Sequence, residues 1–359
     1  MANKPYRRGL VVGKFSPFHK GHEYLLNVAA QHCSEVLVIS YSRPEFPSCS
    51  AAVRASWLKQ FAPNARVLSV NAATVERWRS EEGWPLEMPL NSDDDESHRE
   101  FTYKLIAEKL KLDIDVVLTS EDYGDGFARY LSHHEKGFGH TVQHVCVDRH
   151  RLIVPVSGTA VRRSNTLAER KVNSTVWADF KVQKICFLGA ESTGKTTLSK
   201  LLAEAYDDPV VDEYGRTLWE LNNGVLTPED LVKIGQTQTE NEDKAQQLAR
   251  NYIFCDTSPL TTLCYSDALF NDRPRILEAF AEQPYHHTFL CEPDFPLVQD
   301  GTRKDEAFRA WQHGWYLKVL RQRKIPYTAL KGPLSKRVQM VKKCIEQGAL
   351  KFCSSAIIS

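Results

Sequence analysis

Short apolar runs recur along this chain, and each is followed by a stretch in which apolar residues return with the period of a helix. The runs at 9–12, 35–40, 66–70, 115–119 and 144–148 predict strands, with helices between them at 21–33, 51–61 and 97–111. The rhythm then restarts. Strands are predicted at 184–188, 210–212, 252–256, 288–291 and 326–330, with helices at 195–206, 228–250, 305–323 and 335–347. Strand–helix alternation of this kind specifies a mainly parallel, doubly wound α/β sheet. No sequence repeat relates the two series. They read as two different α/β domains, residues 1–180 and 181–359, with the polar stretch 166–181 as the boundary region.

One segment breaks the rhythm. Residues 71–96 carry Trp78, Trp84, Pro85 and Pro89 before the acidic run Asp93-Asp94-Asp95-Glu96. A long irregular stretch in a compact domain reads as a binding loop or lid. The acidic run places negative charge at the N-terminus of the helix that follows.

Composition narrows the field. The hydrophobic fraction of 42% and charged fraction of 25% belong to an ordinary globular chain, and 359 residues suit two domains. A formal charge of +1 offers no footprint for nucleic acid or for an anionic membrane. No apolar run is long enough to span a bilayer. The nine cysteines are scattered, with no Cys-x-x-Cys pair, and point to a reducing cytoplasm rather than to a disulfide framework or zinc site.

Gly189-Ala190-Glu191-Ser192-Thr193-Gly194-Lys195-Thr196 fits the pattern G-x-x-x-x-G-K-[ST], between a predicted strand and a predicted helix. Backbone N–H groups of such a loop wrap a phosphate chain, and the helix N-terminus adds positive potential. Lys195 would reach the β- and γ-phosphates, and Thr196, followed by Thr197, would offer its hydroxyl to Mg²⁺. Asp256, ending a strand, is the expected acid for the same ion. Asp212 and Glu213 follow another strand, with Arg216 nearby. Asp212 is the first candidate base for a substrate hydroxyl and Glu213 the second, with helix capping as the plainer alternative for the pair. Arg303, on a polar loop, reads either as a lid arginine or as an exposed basic turn.

After the first strand comes Gly13-Lys14-Phe15-Ser16-Pro17-Phe18-His19-Lys20-Gly21-His22. Two histidines three apart at a helix N-terminus can both face one anion, and Gly13 and Gly21 permit close backbone approach. Near the end of the same domain, Ser157-Gly158-Thr159-Ala160-Val161-Arg162 places hydroxyls at a helix start and an arginine one turn on, a second phosphate cradle.

These segments carry a resemblance. GKFSPFHKGH with VSGTAVR resembles the nucleotidyltransferase superfamily, whose signatures are an H-x-G-H turn and a downstream S-[ST]-T-x-[IV]-R. With SEDYG at 120–124, the GAESTGKTTL loop and VDEYGR, the order along the chain is similar to the NadR-type bifunctional enzymes. Those join a nicotinamide mononucleotide (NMN) adenylyltransferase to a ribosylnicotinamide kinase.

The resemblance implies a Rossmann-like nucleotidyltransferase domain followed by a P-loop kinase domain. It implies ATP as co-substrate of both, Mg²⁺ as cofactor, and nicotinamide riboside, NMN and NAD as the other small-molecule partners. His19 and His22 would stabilise the transition state, with Gly13, Phe15 and Ser157 also at the ATP site. Lys14, Thr159 and Arg162 would hold the triphosphate, and Ser120, Glu121 and Tyr123 would lie near a nucleoside. Trp84 or Trp78 would stack on the nicotinamide ring.

Enzymes of this kind often form symmetric homo-oligomers. Gly158 departs from the superfamily, which often has Ser or Thr there. The first strand begins near residue 9, which leaves no room for the N-terminal helix-turn-helix of some members. Two other readings remain open: a fused transferase and kinase acting on a different metabolite, and a nucleotide-sensing regulator without turnover.

Overall fold

A strand covered on both faces needs apolar side chains at successive positions, because its alternating residues point into two different cores. The computed structural model, which describes residues 4–121, 123–297 and 304–346, shows this twice. The chain divides into two units, one ending at Lys181 and the next beginning at Val182.

In the first unit the strands are β1 (Tyr6–Gly13), β2 (Cys33–Tyr41), β3 (Arg66–Val70), β4 (Val116–Thr119) and β5 (Gln143–Cys146). They lie in the order β3-β2-β1-β4-β5, all parallel. Val11, Val38 and Val116 enter a core with Phe18, Trp57 and Val161. Their neighbours Leu10, Leu37 and Val117 enter the other core, with Trp84, Phe101 and Phe127. Strand order reverses beside β1, so ligands are expected outside the C-terminal ends of β1 and β4.

The second unit repeats the plan with β6 (Gln183–Leu188), β7 (Val210–Val211), β8 (Tyr252–Asp256), β9 (His287–Cys291) and β10 (Thr328–Leu330). Their order is β10-β9-β6-β8-β7, again parallel. Phe187 stacks on Phe289 at 5.7 Å and packs with Leu198 and Leu202 of the helix Lys195–Tyr206. Cys186, Leu188 and Leu290 face the opposite core with Leu263 and Tyr316. The eight cysteines among the described residues are free. No helix among these residues is long and apolar enough to cross a membrane.

One expectation needs correction. Residues 71–96 are not irregular throughout: Asn71 caps a helix, Ala72–Glu82, that ends at the left-handed Gly83. The acidic run does begin a helix, with Asp94 accepting from the Ser97 N–H, but that helix starts earlier, at Asp95. The boundary region 166–181 is itself folded, and the two units divide at its end, between Lys181 and Val182. It holds helices Asn165–Lys171 and Ser174–Phe180, and Ala168, Val172 and Val176 are buried in the first unit's core. The Trp57 indole N–H donates to Asp179 at 2.7 Å, tying the last of these helices to the domain.

Candidate active sites

At the end of β1 the backbone turns through Phe15, whose φ of 48° lies in the left-handed region. Phe15 itself is 1% exposed and meets the His22 ring edge-on at 4.7 Å, so its side chain shapes the turn from below and only its backbone is left to meet a nucleotide. His19 caps the helix Lys20–His32. Its Nδ1 accepts from the His22 N–H at 3.4 Å, and His22 Nδ1 accepts from the His19 N–H at 3.2 Å. The two rings stack at 3.6 Å. Burial, with Arg151 second, pushes His19 down to about 4. Burial, then His19, pushes His22 well below the ordinary histidine value. A neutral ring whose Nδ1 accepts carries its proton on Nε2. Both histidines are therefore neutral donors through Nε2–H at pH 7.

The first unit should accordingly lose stability as pH falls from about 6.5 towards 4. Over that window the unfolded chain takes up protons that the folded histidines refuse. Thermal melts across this range would show the decline, and a flat profile would contradict the neutral assignment.

His19 and His22 border a cavity, with about 430 Å³ of free space counting what opens to solvent, together with Ser120, Glu121, Arg151 and Gly158. Across it, Ser157 caps the helix Gly158–Arg163 by accepting from the Ala160 N–H. Arg162 donates to the Ser16 carbonyl and to Thr159 Oγ1, and lies 4.1 Å over the Phe46 ring. Lys14, beside it, is held below the usual lysine range by burial and then by Arg162. A Cβ on Gly158 would stand 3.1 Å from Arg162 Nη1 and 4.0 Å from His19 Nε2. The missing side chain thus leaves a guanidinium and an imidazole facing one space.

Tyr123 begins the helix Gly124–Ser132 and donates weakly to the Val12 carbonyl at 3.4 Å, outside the cavity lining. Trp84 is 7% exposed, edge-on to Trp78 and Phe101, with its N–H on Glu108. The structure makes it a packing residue in place of the expected ring-stacking one. Trp78 carries Lys109 over its face at 4.5 Å.

The second site opens from β6. An open cleft with about 1280 Å³ of free space is lined by the 191–197 segment together with Glu213, Arg216, Gln312 and an apolar wall that includes Trp219, Leu226 and Ile234. Gly189 (φ 143°), Ser192 (54°) and Gly194 (78°) set the loop's curvature. A Cβ on Gly189 would lie 2.6 Å from the Cys291 carbonyl oxygen. Gly189→Ala should therefore destabilise the second unit by about 2 kcal/mol or more, read by thermal or chemical denaturation.

Lys195 Nζ bonds the Gly189 and Ala190 carbonyls at 2.9 and 3.0 Å. The Thr193 hydroxyl donates to Ala190. Glu191 accepts from the Tyr265 hydroxyl and the Lys304 N–H, each at 2.9 Å, and its own N–H donates to Gln312.

Thr196 hydrogen-bonds Asp256, whose other oxygen, Oδ1, is buried without a hydrogen-bond partner. Glu213 lines the cleft, and burial pushes its carboxyl up while Lys195 pulls it down. Asp212, the first candidate base, is exposed instead, pairs with Lys200 at 3.2 Å and does not line the cleft. The strand's last residues explain the difference: the chain turns after Val211, so adjacent carboxylates project apart. Arg303 lies outside the described residues.

Residues 10–164 match a cytidylyltransferase-like family model, and residues 184–337 match an AAA domain model. Over both domains the chain is similar to the trifunctional NAD biosynthesis/regulator protein NadR of Escherichia coli strain K12, at 27% identity over 82% of this chain and 71% of that protein. The NadR of Salmonella typhimurium strain LT2 is 26% identical over 95% of this chain and 84% of its own length. In both domains the chain is similar to the NadR proteins. A crystal structure of a NadR protein in complex with NR superposes with a TM-score of 0.50 at 19% identity, covering 97% of this chain and 96% of that one, and shares its fold.

Several residues at these two sites carry no signal in the sequence. Arg337 donates to the carbonyls of Thr193, Gly332 and Glu292, and Arg309 to those of Ser192 and Phe295. Both are buried and brace the phosphate loop from behind. Nothing in their helical surroundings marks them, because their partners in the phosphate loop, Ser192 and Thr193, lie more than a hundred residues away. Arg151 lines the first cavity and donates to Glu121 at 2.7 Å.

Proposed function

We propose that this NadR-type chain makes NAD from nicotinamide riboside and two ATP, phosphorylating the riboside in its second unit and adenylylating the resulting NMN in its first. The observation that carries this reading is the pair of polyphosphate-shaped turns, each at the C-terminal edge of its own parallel sheet, in the order found in the named NAD biosynthesis proteins.

In the first unit the 5′-phosphate of NMN attacks the α-phosphorus of ATP. A new P–O bond forms as the bond to the β-phosphate oxygen breaks, and pyrophosphate leaves with the electron pair. The nucleophile is already an anion, so no strong base is required. His19 and His22, as neutral Nε2–H donors, hold the oxygens on which charge develops, with Lys14 and Arg162 supplying positive charge. Thr159 keeps the Arg162 fork in place, and Ser120 and Glu121 face the nucleoside.

In the second unit the riboside 5′-hydroxyl attacks the γ-phosphorus, the bond from that phosphorus to the β–γ bridging oxygen breaks, and ADP leaves with the electron pair, while the hydroxyl proton passes to Glu213, a carboxylate whose raised affinity for protons suits a base. Lys195 holds the β- and γ-phosphates, Arg216 sits beside the acceptor, and the flat nicotinamide suits the apolar wall at Trp219. The unpartnered Asp256 oxygen beside the Thr196 hydroxyl fits a divalent cation. Mg²⁺ held there would neutralise phosphate charge.

A panel of acceptors with labelled ATP tests the assignment. Nicotinamide riboside should be the best phosphoryl acceptor and NMN the best adenylyl acceptor. Lack of turnover of NMN in an otherwise active protein would end this reading.

A further inference from the structure

The cavity beside His19 and His22 must accept a nucleoside triphosphate and a second phosphate, yet its two imidazoles bring donors and no positive charge. Among the described residues that line it, Arg151 is the one Lys or Arg. Lys14 and Arg162 lie outside that lining, and the Arg162 guanidinium is engaged by Ser16, Thr159 and Phe46.

The backbone that presents Arg151 is a tight, strained turn. Asp148 and Arg151 both adopt left-handed φ values, 57° and 51°, which are unfavourable for residues with a side chain. The turn is closed by the Arg151 N–H on the Asp148 carbonyl at 2.8 Å. The Asp148 carboxylate accepts from the Ile153 N–H at 3.0 Å and the Val154 N–H at 2.8 Å. Leu152 and Ile153, 82% and 62% exposed, add no packing that would explain this conformation. Neighbouring Arg149 is directed elsewhere, towards Asp125 at 3.7 Å. The ion pair of Arg151 with Glu121 is partly solvated, its side chains 34% and 54% exposed, and such pairs add little to stability. A turn that holds Arg151 in a left-handed conformation at the mouth of a reaction cavity, for an ion pair that adds little to stability, points to a role for the guanidinium in that cavity.

We infer that Arg151 binds phosphate in the adenylyl-transfer site, exchanging its Glu121 partner for substrate oxygens. Glu121 holds the guanidinium extended into the cavity, and an entering polyphosphate, with more charge and a better match to the planar fork, takes its place. The released Glu121 carboxylate becomes an acceptor for substrate hydroxyls. This inference rests on the adenylyltransferase reading of the first unit.

The test is steady-state adenylyl transfer from ATP to NMN by the full chain and its Arg151→Ala, Arg151→Gln and Arg151→Lys variants, with riboside phosphorylation measured in the same preparations. Arg151→Ala and Arg151→Gln should each lower kcat/KM for adenylyl transfer about 100-fold. Arg151→Lys, a cation without the fork, should recover part of the loss. Inhibition by added pyrophosphate should weaken in parallel, and riboside phosphorylation should stay at the wild-type rate. Adenylyl transfer within twofold of wild type in Arg151→Gln, with pyrophosphate inhibition unchanged, would overturn the inference while leaving the function intact. Absence of adenylyl transfer in the wild-type chain would overturn both.

Discussion

Lys195→Ala is expected to reduce riboside phosphorylation about 1,000-fold or more while adenylyl transfer stays within twofold of wild type. Removing a single preorganised charge or donor at a transferring phosphoryl group costs two to three orders of magnitude. Lys195 is poised for that role: its ammonium is already held over the loop by the Gly189 and Ala190 carbonyls, at the mouth of the cleft that Glu213 and Arg216 share. The loop's shape does not depend on the lysine alone. Arg309, Arg337 and the Glu191 anchors hold its backbone from behind, so the variant should melt with the wild type. Coupled assays of the two half-reactions, run separately, would read the result. Loss of both activities in a folded variant would contradict two independent sites.

The converse holds for His22→Ala. Adenylyl transfer should fall about 100- to 1,000-fold, with phosphorylation unchanged, because the Nε2–H donor is lost from developing phosphate charge. Some loss of stability in the first unit should accompany it, since His22 Nδ1 also accepts the His19 N–H and so closes the helix cap. His19→Ala should behave similarly. Because both rings are neutral well below pH 7, the ratio of mutant to wild-type rates should not vary between pH 6 and 8. A ratio that tracked a titration near 6.5 would mean that an imidazolium does the work.

Much of this architecture is legible in the chain because the telling features are local. The phosphate loop and the H-x-G-H turn are consecutive residues between a strand and a helix, and both stand where the spacing put them. The helix Ala72–Glu82 was marked too, by Asn71 at its start and Gly83 at its end, yet its sparse apolar residues hid it inside an apparent loop. The helix Pro259–Phe270 fails for the opposite reason: it is buried along most of its circumference, so no polar face supplies a period. Spacing also cannot tell which of two adjacent carboxylates faces a cleft. Asp212 and Glu213 separate only once the turn after Val211 sends one to Lys200 and the other towards Lys195. Arg151, Arg309 and Arg337 are invisible for a further reason, since their meaning depends on loops that the fold brings from far along the chain.

The most direct test of two phosphate-handling centres working in sequence is a time course with nicotinamide riboside as the only pyridine compound, in excess ATP and Mg²⁺, followed by chromatography. NMN should appear first and then NAD, with two ATP consumed per NAD, one yielding ADP and the other pyrophosphate. A wild-type chain that stops at NMN, or leaves the riboside untouched, would contradict the account.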